Sequence, residues 1–202
     1  MKIKATLSTD RQKGKIFIIS GPSGSGKTTL LQRLFKNKKL KNSVVKSISF
    51  TTRPRRSGER KNKDYFFISE KEFKQKRSAK KIIEWTKYLS YYYGTPKEFV
   101  EQQLEKEKNI ALCLDKKGAL NIKRLYPKLT VTIFIIPPSI EELQKRIEAR
   151  CNKTKKEEIK NRVRLAQREL SLSRKYDHRI FNKNLNLAAK ELQDIVLNEI
   201  HA

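Results

Sequence analysis

The residues best equipped for chemistry lie early in the chain, at Gly21-Pro22-Ser23-Gly24-Ser25-Gly26-Lys27-Thr28. This stretch satisfies G-x-x-x-x-G-K-[ST] in full and falls between an apolar β-like run at 15–20 and an amphipathic helical pattern at 28–35. Glycines at Gly21, Gly24 and Gly26 let the backbone curl so that successive N–H groups converge on phosphate oxygens. The helix that starts near Lys27 adds the partial positive charge of its N-terminus. In that arrangement Lys27 bridges the β- and γ-phosphates of a nucleoside triphosphate, the Thr28 hydroxyl ligates Mg2+, and Thr29 completes the phosphate-binding set. Such a loop identifies the phosphoryl donor and leaves the acceptor open.

The acceptor must be sought where the composition changes. Residues 46–96 are rich in Thr, Tyr, Phe and Arg, carry turn signals at Pro54, Ser57-Gly58 and Gly94, and show no long helical pattern. Three clusters there combine hydroxyls, cations and a single carboxylate: Ser49-Phe-Thr-Thr-Arg53-Pro-Arg-Arg56, Asp64-Tyr65-Phe-Phe67, and Glu84-Trp85 followed by Tyr91-Tyr-Tyr93-Gly-Thr95-Pro96. In order and spacing these resemble the guanylate kinase family, whose pattern runs S-x-T-T-R-x-x-R-x-G-E, D-Y-x-F, E-W and Y-Y-G-[ST]. The resemblance continues through Asp115-Lys-Lys-Gly118, Ile133-Phe-Ile-Ile-Pro-Pro-Ser139, Arg146, Arg150 and Ile180-Phe-Asn182, and so spans residues 14–200.

The chemistry of those residue types agrees with what the resemblance implies. A phosphate monoester dianion favours planar bidentate cations, which Arg53 and Arg56 supply better than lysine, and Tyr65 and Tyr93 can donate phenolic hydroxyls to the same phosphate. Guanine presents N1–H and N2–H2 donors on one edge. An ionised Glu84 accepts both, whereas adenine would meet it with an acceptor; Ser49 and Thr95 hydrogen-bond the base. The expected reaction is therefore transfer of a phosphoryl group from ATP to GMP, with Mg2+ accompanying the donor.

Asp115 follows an apolar run at 109–114, at the carboxyl end of an expected parallel strand, where open α/β sheets hold their ligands. It can hold metal-bound water or orient the acceptor. Arg146 and Arg150 stand four apart on one helix face, with Arg162 on the next helical stretch. The resemblance implies that these arginines close over the transferring phosphoryl group as a lid. Asn182 can contact the adenine or cap the last helix. Several positions depart from the family pattern: Cys113 stands where an aspartate is usual, Lys116-Lys117 replace an apolar-Gln pair, and Arg150-Cys-Asn-Lys-Thr154 and Lys183-Asn184 replace more acidic segments. The departures trend toward positive charge and predict nucleotide affinity that is sensitive to ionic strength.

The elements that must position these residues alternate between short apolar runs and helical periodicity. Runs at 109–114 and 130–136 each precede a helical pattern, at 116–125 and 139–150, with Ser139 as the N-cap of the latter. Helices are expected at 157–174 and 185–200 around a short strand at 179–181. This is the pattern of an α/β P-loop nucleoside monophosphate kinase: a parallel-sheet core with helices on both faces, a small, mostly β GMP-binding insertion at 47–97 and a helical lid at 149–176. Residues 1–13 read as an N-terminal extension to a kinase-like domain at 14–202.

Composition bounds the rest. With 202 residues and 37% hydrophobic content, one α/β core with small subdomains is expected. The formal net charge of +27 suits nucleotide phosphates, but lysine is spread through nearly every segment, which argues against a dedicated nucleic-acid site. Cys113 and Cys151 have no metal-ligand spacing, no apolar run approaches the ~18 residues of a membrane span, and a cytoplasmic protein is expected, with an oligomer compatible with the sequence. A non-catalytic binding module of the same fold would have lost Lys27 and Thr28, and a kinase for a ribose phosphate would not need Ser49, Glu84 and Thr95.

Overall fold

The computed structural model describes residues 14–88, 90–150 and 156–202; the expected extension at 1–13 and residues 151–155 of the expected lid lie outside the described residues. β1 (Ile16–Ser20) is buried at every position, and the Gly-rich loop carries the chain into α1 (Lys27–Lys36). After β2 (Val44–Lys46) the chain leaves the core to form β3 (Phe50–Thr51), β4 (Phe66–Phe67), α2 (Glu70–Ser78), β5 (Ile82–Tyr88) and β6 (Tyr91–Pro96). It returns through α3 (Lys97–Glu105), β7 (Asn109–Cys113), α4 (Lys116–Leu125), β8 (Thr130–Ile136), α5 (Ile140–Arg150), α6 (Lys156–Ser171), β9 (His178–Phe181) and α7 (Leu185–His201).

The core sheet is parallel throughout, in the order β2-β7-β1-β8-β9. Both faces are covered, which is why its strands read as continuous apolar runs. Alternation along β1 sends Phe17 and Ile19 to the face covered by α1 and α7, with Leu30, Leu34, Ala188, Leu192 and Val196, and Ile16 and Ile18 to the face covered by α3 and α4, with Val100, Ala119 and Ile122. Burying a side chain such as Phe17 or Ile18 contributes roughly 1.5–3 kcal/mol. The parallel arrangement aligns the carboxyl ends of β1, β7, β8 and β9 along one edge. There the Ser20 hydroxyl donates to the Leu114 carbonyl at 2.7 Å and ties the end of β1 to the segment that leads into Asp115.

The insertion builds its own four-stranded sheet, β4-β3-β6-β5, in which β5 and β6 form an antiparallel hairpin. It is less purely β than expected. Ser69 and Glu72 form a capping box that starts α2, a nine-residue helix with Phe73 as its buried contact to the sheet. Phe73 stacks on Tyr92 with ring centroids 5.2 Å apart and closes over Gly94, so Tyr92 serves packing. Beyond the core, α5 and α6 pair through Leu143, Ile147 and Ala166, a small cluster separate from the two main ones.

Candidate functional site

The phosphate loop hangs from the carboxyl end of β1, with Gly21, Gly24 and Gly26 at φ +139°, +88° and +97°. These values belong to glycine, and two neighbours sharpen the requirement. A side chain at Gly21 would meet the Ile135 carbonyl oxygen at 2.5 Å, and one at Gly26 would meet Asn182 Nδ2 at 2.2 Å. Lys27 Nζ donates to the carbonyls of Gly21 and Pro22 at 2.6 and 2.8 Å, so the loop is folded over its own lysine. Pro22 and Ser25 are buried, Ser23 and Thr29 partly exposed, and Thr28 is exposed on the first turn of α1.

Asn182, the residue after β9, is buried and donates from Nδ2 to the Ser25 carbonyl at 2.8 Å. It holds the phosphate loop and does not cap the last helix; Asn184 does that, accepting from the N–H groups of Asn186 and Leu187. Arg146 lies on α5 above the loop, pairs with Glu142 at 3.0 Å and reaches the Gly24 carbonyl at 3.5 Å. Arg162 is buried within α6. The side chain of Arg150 lies outside the described residues, as does Cys151.

On the small sheet the β5/β6 register pairs Glu84 with Thr95 and Thr86 with Tyr93, and β3 pairs Thr51 with Tyr93. Alternation therefore gathers Glu84, Thr95, Tyr93 and Thr51 on one face, and Ser49, two residues before Thr51 and just ahead of β3, falls on the Thr95 side. Glu84 is buried at 4% exposure, and Thr95 Oγ1 donates to its Oε1 at 2.6 Å. Burial raises the Glu84 carboxyl to about 7; Thr95 opposes that rise and the nearby charge of Asp115 adds to it. Asp115 itself accepts from the Gly118 N–H at 2.9 Å as the N-cap of α4.

At the other end of that face Arg53 is buried beside two rings, 5.6 Å from the centre of Tyr65 and 5.9 Å from that of Phe67, while Tyr65 and Tyr93 meet edge to face at 6.0 Å. Burial alone would lower the Arg53 guanidinium; Glu59 and Tyr93 outweigh it and hold the group above its ordinary value. Glu59 does two jobs, accepting from Arg53 Nη2 at 2.7 Å and from the Arg56 backbone N–H at 2.8 Å. The Arg56 side chain is exposed. Burial raises the Tyr65 phenol, which keeps it a hydrogen-bond donor.

Two acidic residues escaped the sequence reading. Glu59 closes the S-x-T-T-R-x-x-R-x-G-E run, and its spacing from Arg53 was a readable pairing signal. Glu169 follows Arg162 by seven residues on α6, with Ala166 between them, a spacing that puts all three on one helix face. Its carboxyl is raised to about 6 by burial, with Lys27 drawing it down and Asp115 pushing it up, so α6 brings a carboxylate within electrostatic reach of both. Cys113 is exposed at the end of β7; surrounding protein raises its thiol, and Lys27 and Lys46 draw it back. His178 contacts Glu199 at 3.0 Å.

The glycine-rich loop thus follows a strand tied to the segment ahead of Asp115, and the face that bears Glu84 feels the charge of Asp115. Comparison with known proteins decides the family: a guanylate kinase family model matches residues 13–199. The chain belongs to the guanylate kinase family. It is 41% identical over 189 residues to a guanylate kinase of Caldanaerobacter subterraneus, covering 94% of this chain and 89% of that protein. It is 38% identical to the guanylate kinase of Bacillus subtilis, covering 94% and 91%. A crystal structure of guanylate kinase from Anaplasma phagocytophilum superposes with a TM-score of 0.76 at 30% identity, covering 95% of this chain and 89% of that one. The guanylate kinase fold, a P-loop α/β core with helices on both faces, is the one described above.

Proposed function

We propose that this guanylate kinase converts ATP and GMP to ADP and GDP with the following division of labour. The loop Gly21–Thr28, with Thr29, cradles the ATP phosphates, and Lys27 exchanges its bonds to the Gly21 and Pro22 carbonyls for phosphate oxygens. Asn182 keeps the loop in register from beneath. Glu84, Thr95 and Ser49 read guanine, while Arg53, Arg56, Tyr65 and Tyr93 hold the GMP phosphate. Asp115 orients the acceptor from the core side. Arg146, Arg150 and Arg162 neutralise charge on the transferring group from the α5–α6 side.

The observation that carries this reading is the buried Glu84 carboxylate, held at 2.6 Å by Thr95 on the face that also bears Tyr93. A buried acid on a ligand-facing wall costs stability unless a ligand's donors reward it, and guanine offers two such donors side by side. The chemistry between the two nucleotides is alignment and charge neutralisation, which fixed arginines and backbone N–H groups supply without covalent participation by the protein.

Mg2+ suits the donor set. Among the described residues no three His, Cys, Asp or Glu side chains cluster to hold a metal, and the exposed Thr28 beside the phosphate cradle would be a protein ligand, with phosphates and water supplying others. Asp115 and Glu169, which feel each other's charge, would accept from the metal's water. When bound it neutralises phosphate charge.

Among the described residues no helix is long and apolar enough to cross a membrane. The cytoplasm, where the nucleotides are, is the proposed place of work. Replacement of Glu84 by Gln tests the reading: it keeps the shape, turns one acceptor into a donor and should abolish the preference for GMP over other monophosphates.

A further inference from the structure

We infer that Gly118 is a positioning residue for guanine recognition: the absence of a side chain at this point of α4 is what gives the Glu84 carboxylate its seat. The inference rests on the reading of Glu84 as the guanine-binding carboxylate. Gly118 lies buried in the first turn of α4. Its φ is not positive, so left-handed backbone does not require glycine here. Glycine in a helix costs about 1 kcal/mol relative to alanine, so something else must favour it.

That something is Glu84. A Cβ at Gly118 would stand 2.6 Å from Glu84 Oε2 and 3.2 Å from its Cδ, inside any ordinary contact, while its next neighbour, Leu114 Cβ, lies at 3.3 Å. The carboxylate cannot swing aside freely, because its other oxygen is held by Thr95 at 2.6 Å and the side chain is buried. Lys117, the preceding residue, lies over the Trp85 ring at 5.2 Å, so α4 also contacts β5 at the residue after Glu84. The Gly118 N–H also caps Asp115 at 2.9 Å. One residue of the core helix thereby places both acids of the acceptor site: Asp115 through its N–H and Glu84 through its bare Cα.

These two roles separate experimentally. Alanine keeps the N–H, and with it the Asp115 cap, but fills the seat of Glu84. Gly118→Ala should raise KM for GMP tenfold or more while KM for ATP stays within about twofold. In a Glu84→Ala background the same change meets no carboxylate and should alter kcat/KM for GMP by less than about twofold. If Gly118→Ala fails to fold alone but folds in the Glu84→Ala background, the clash is equally established. An equal loss in both backgrounds, failure to fold in both, or a GMP KM unmoved by Gly118→Ala would each overturn the inference. Should Glu84→Ala by itself leave GMP preference intact, the reading of Glu84 fails, which is a different outcome from additivity.

Discussion

Thr95 Oγ1 donates to Glu84 Oε1 at 2.6 Å, and both side chains are buried. The short bond fixes one carboxylate oxygen and directs the acid into the acceptor face. Glu84→Gln should therefore lower kcat/KM for GMP by about 10³-fold, since a site with buried polar groups rejects a mispaired base strongly. Thr95→Val, which keeps the acid but holds it loosely and removes a bond that opposes its raised carboxyl, should cost less, about tenfold. Steady-state kinetics with GMP as the varied substrate separate the two, and equal losses would show that the hydroxyl, not the charge, reads the base.

The same acid should make GMP binding depend on pH. Its carboxyl is raised by burial from 4.5 to about 7, so near neutrality about half of the molecules carry the neutral form. KM for GMP should fall as pH rises through about 7 and then level, and Glu84→Gln should flatten the profile. Stability should move oppositely. The folded state holds a proton that the unfolded chain releases, so the group favours folding below 4.5 and loses that contribution as pH rises to about 7, on the order of 3 kcal/mol in all. Above that pH Glu84→Gln should melt higher than the parent.

Glu59 should govern phosphate affinity without touching the ligand. It holds Arg53 at 2.7 Å and the Arg56 backbone at 2.8 Å. Glu59→Gln should raise KM for GMP about tenfold with a smaller change in kcat, because removing one partner of a part-buried pair leaves the other misplaced. An unchanged KM would assign the pair to fold stability alone.

On the donor side, Asn182→Ala removes the 2.8 Å bond to the Ser25 carbonyl and should raise KM for ATP severalfold, leaving KM for GMP unaltered. Isothermal titration with a non-hydrolysable ATP analogue gives the same reading without turnover. A parallel rise in both constants would point to general loosening of the β9 end of the sheet.

The net charge of +27 should show itself in ionic strength. Lys116 and Lys117 follow Asp115 at the start of α4 and Lys46 bears on Cys113, and KM for both nucleotides should rise as salt increases from low to physiological levels. Michaelis constants that ignore salt would mean that the lysines are too dispersed to matter.

The core was legible because its strands are long apolar runs bounded by turn residues: β8 and α4 begin and end where their patterns do. The phosphate loop was legible for a similar reason, since its chemistry is local. The insertion was harder. Strands β3 and β4 have two residues each, too few for any periodicity, and α2 buries Phe73 alone, so it lacks an apolar stripe and shows itself only through the Ser69-x-x-Glu72 cap. At the site, residue types revealed Glu84 and Arg53, and Glu59, which holds Arg53, lies only six residues on; the other supports are non-local. Neither the seat at Gly118 for a residue 34 positions earlier, nor the hold of Asn182 on Ser25, nor the approach of Glu169 to Lys27 leaves a trace in spacing.

The account stands or falls on the acceptor. ADP release should be followed with ATP and Mg2+ against GMP, AMP, CMP and UMP in turn, for the parent protein and for Glu84→Gln. Turnover with GMP at least 10³-fold more efficient than with the other monophosphates, and loss of that preference in the variant, is the expected result. Comparable turnover with AMP, or a GMP preference that survives Glu84→Gln, would contradict it.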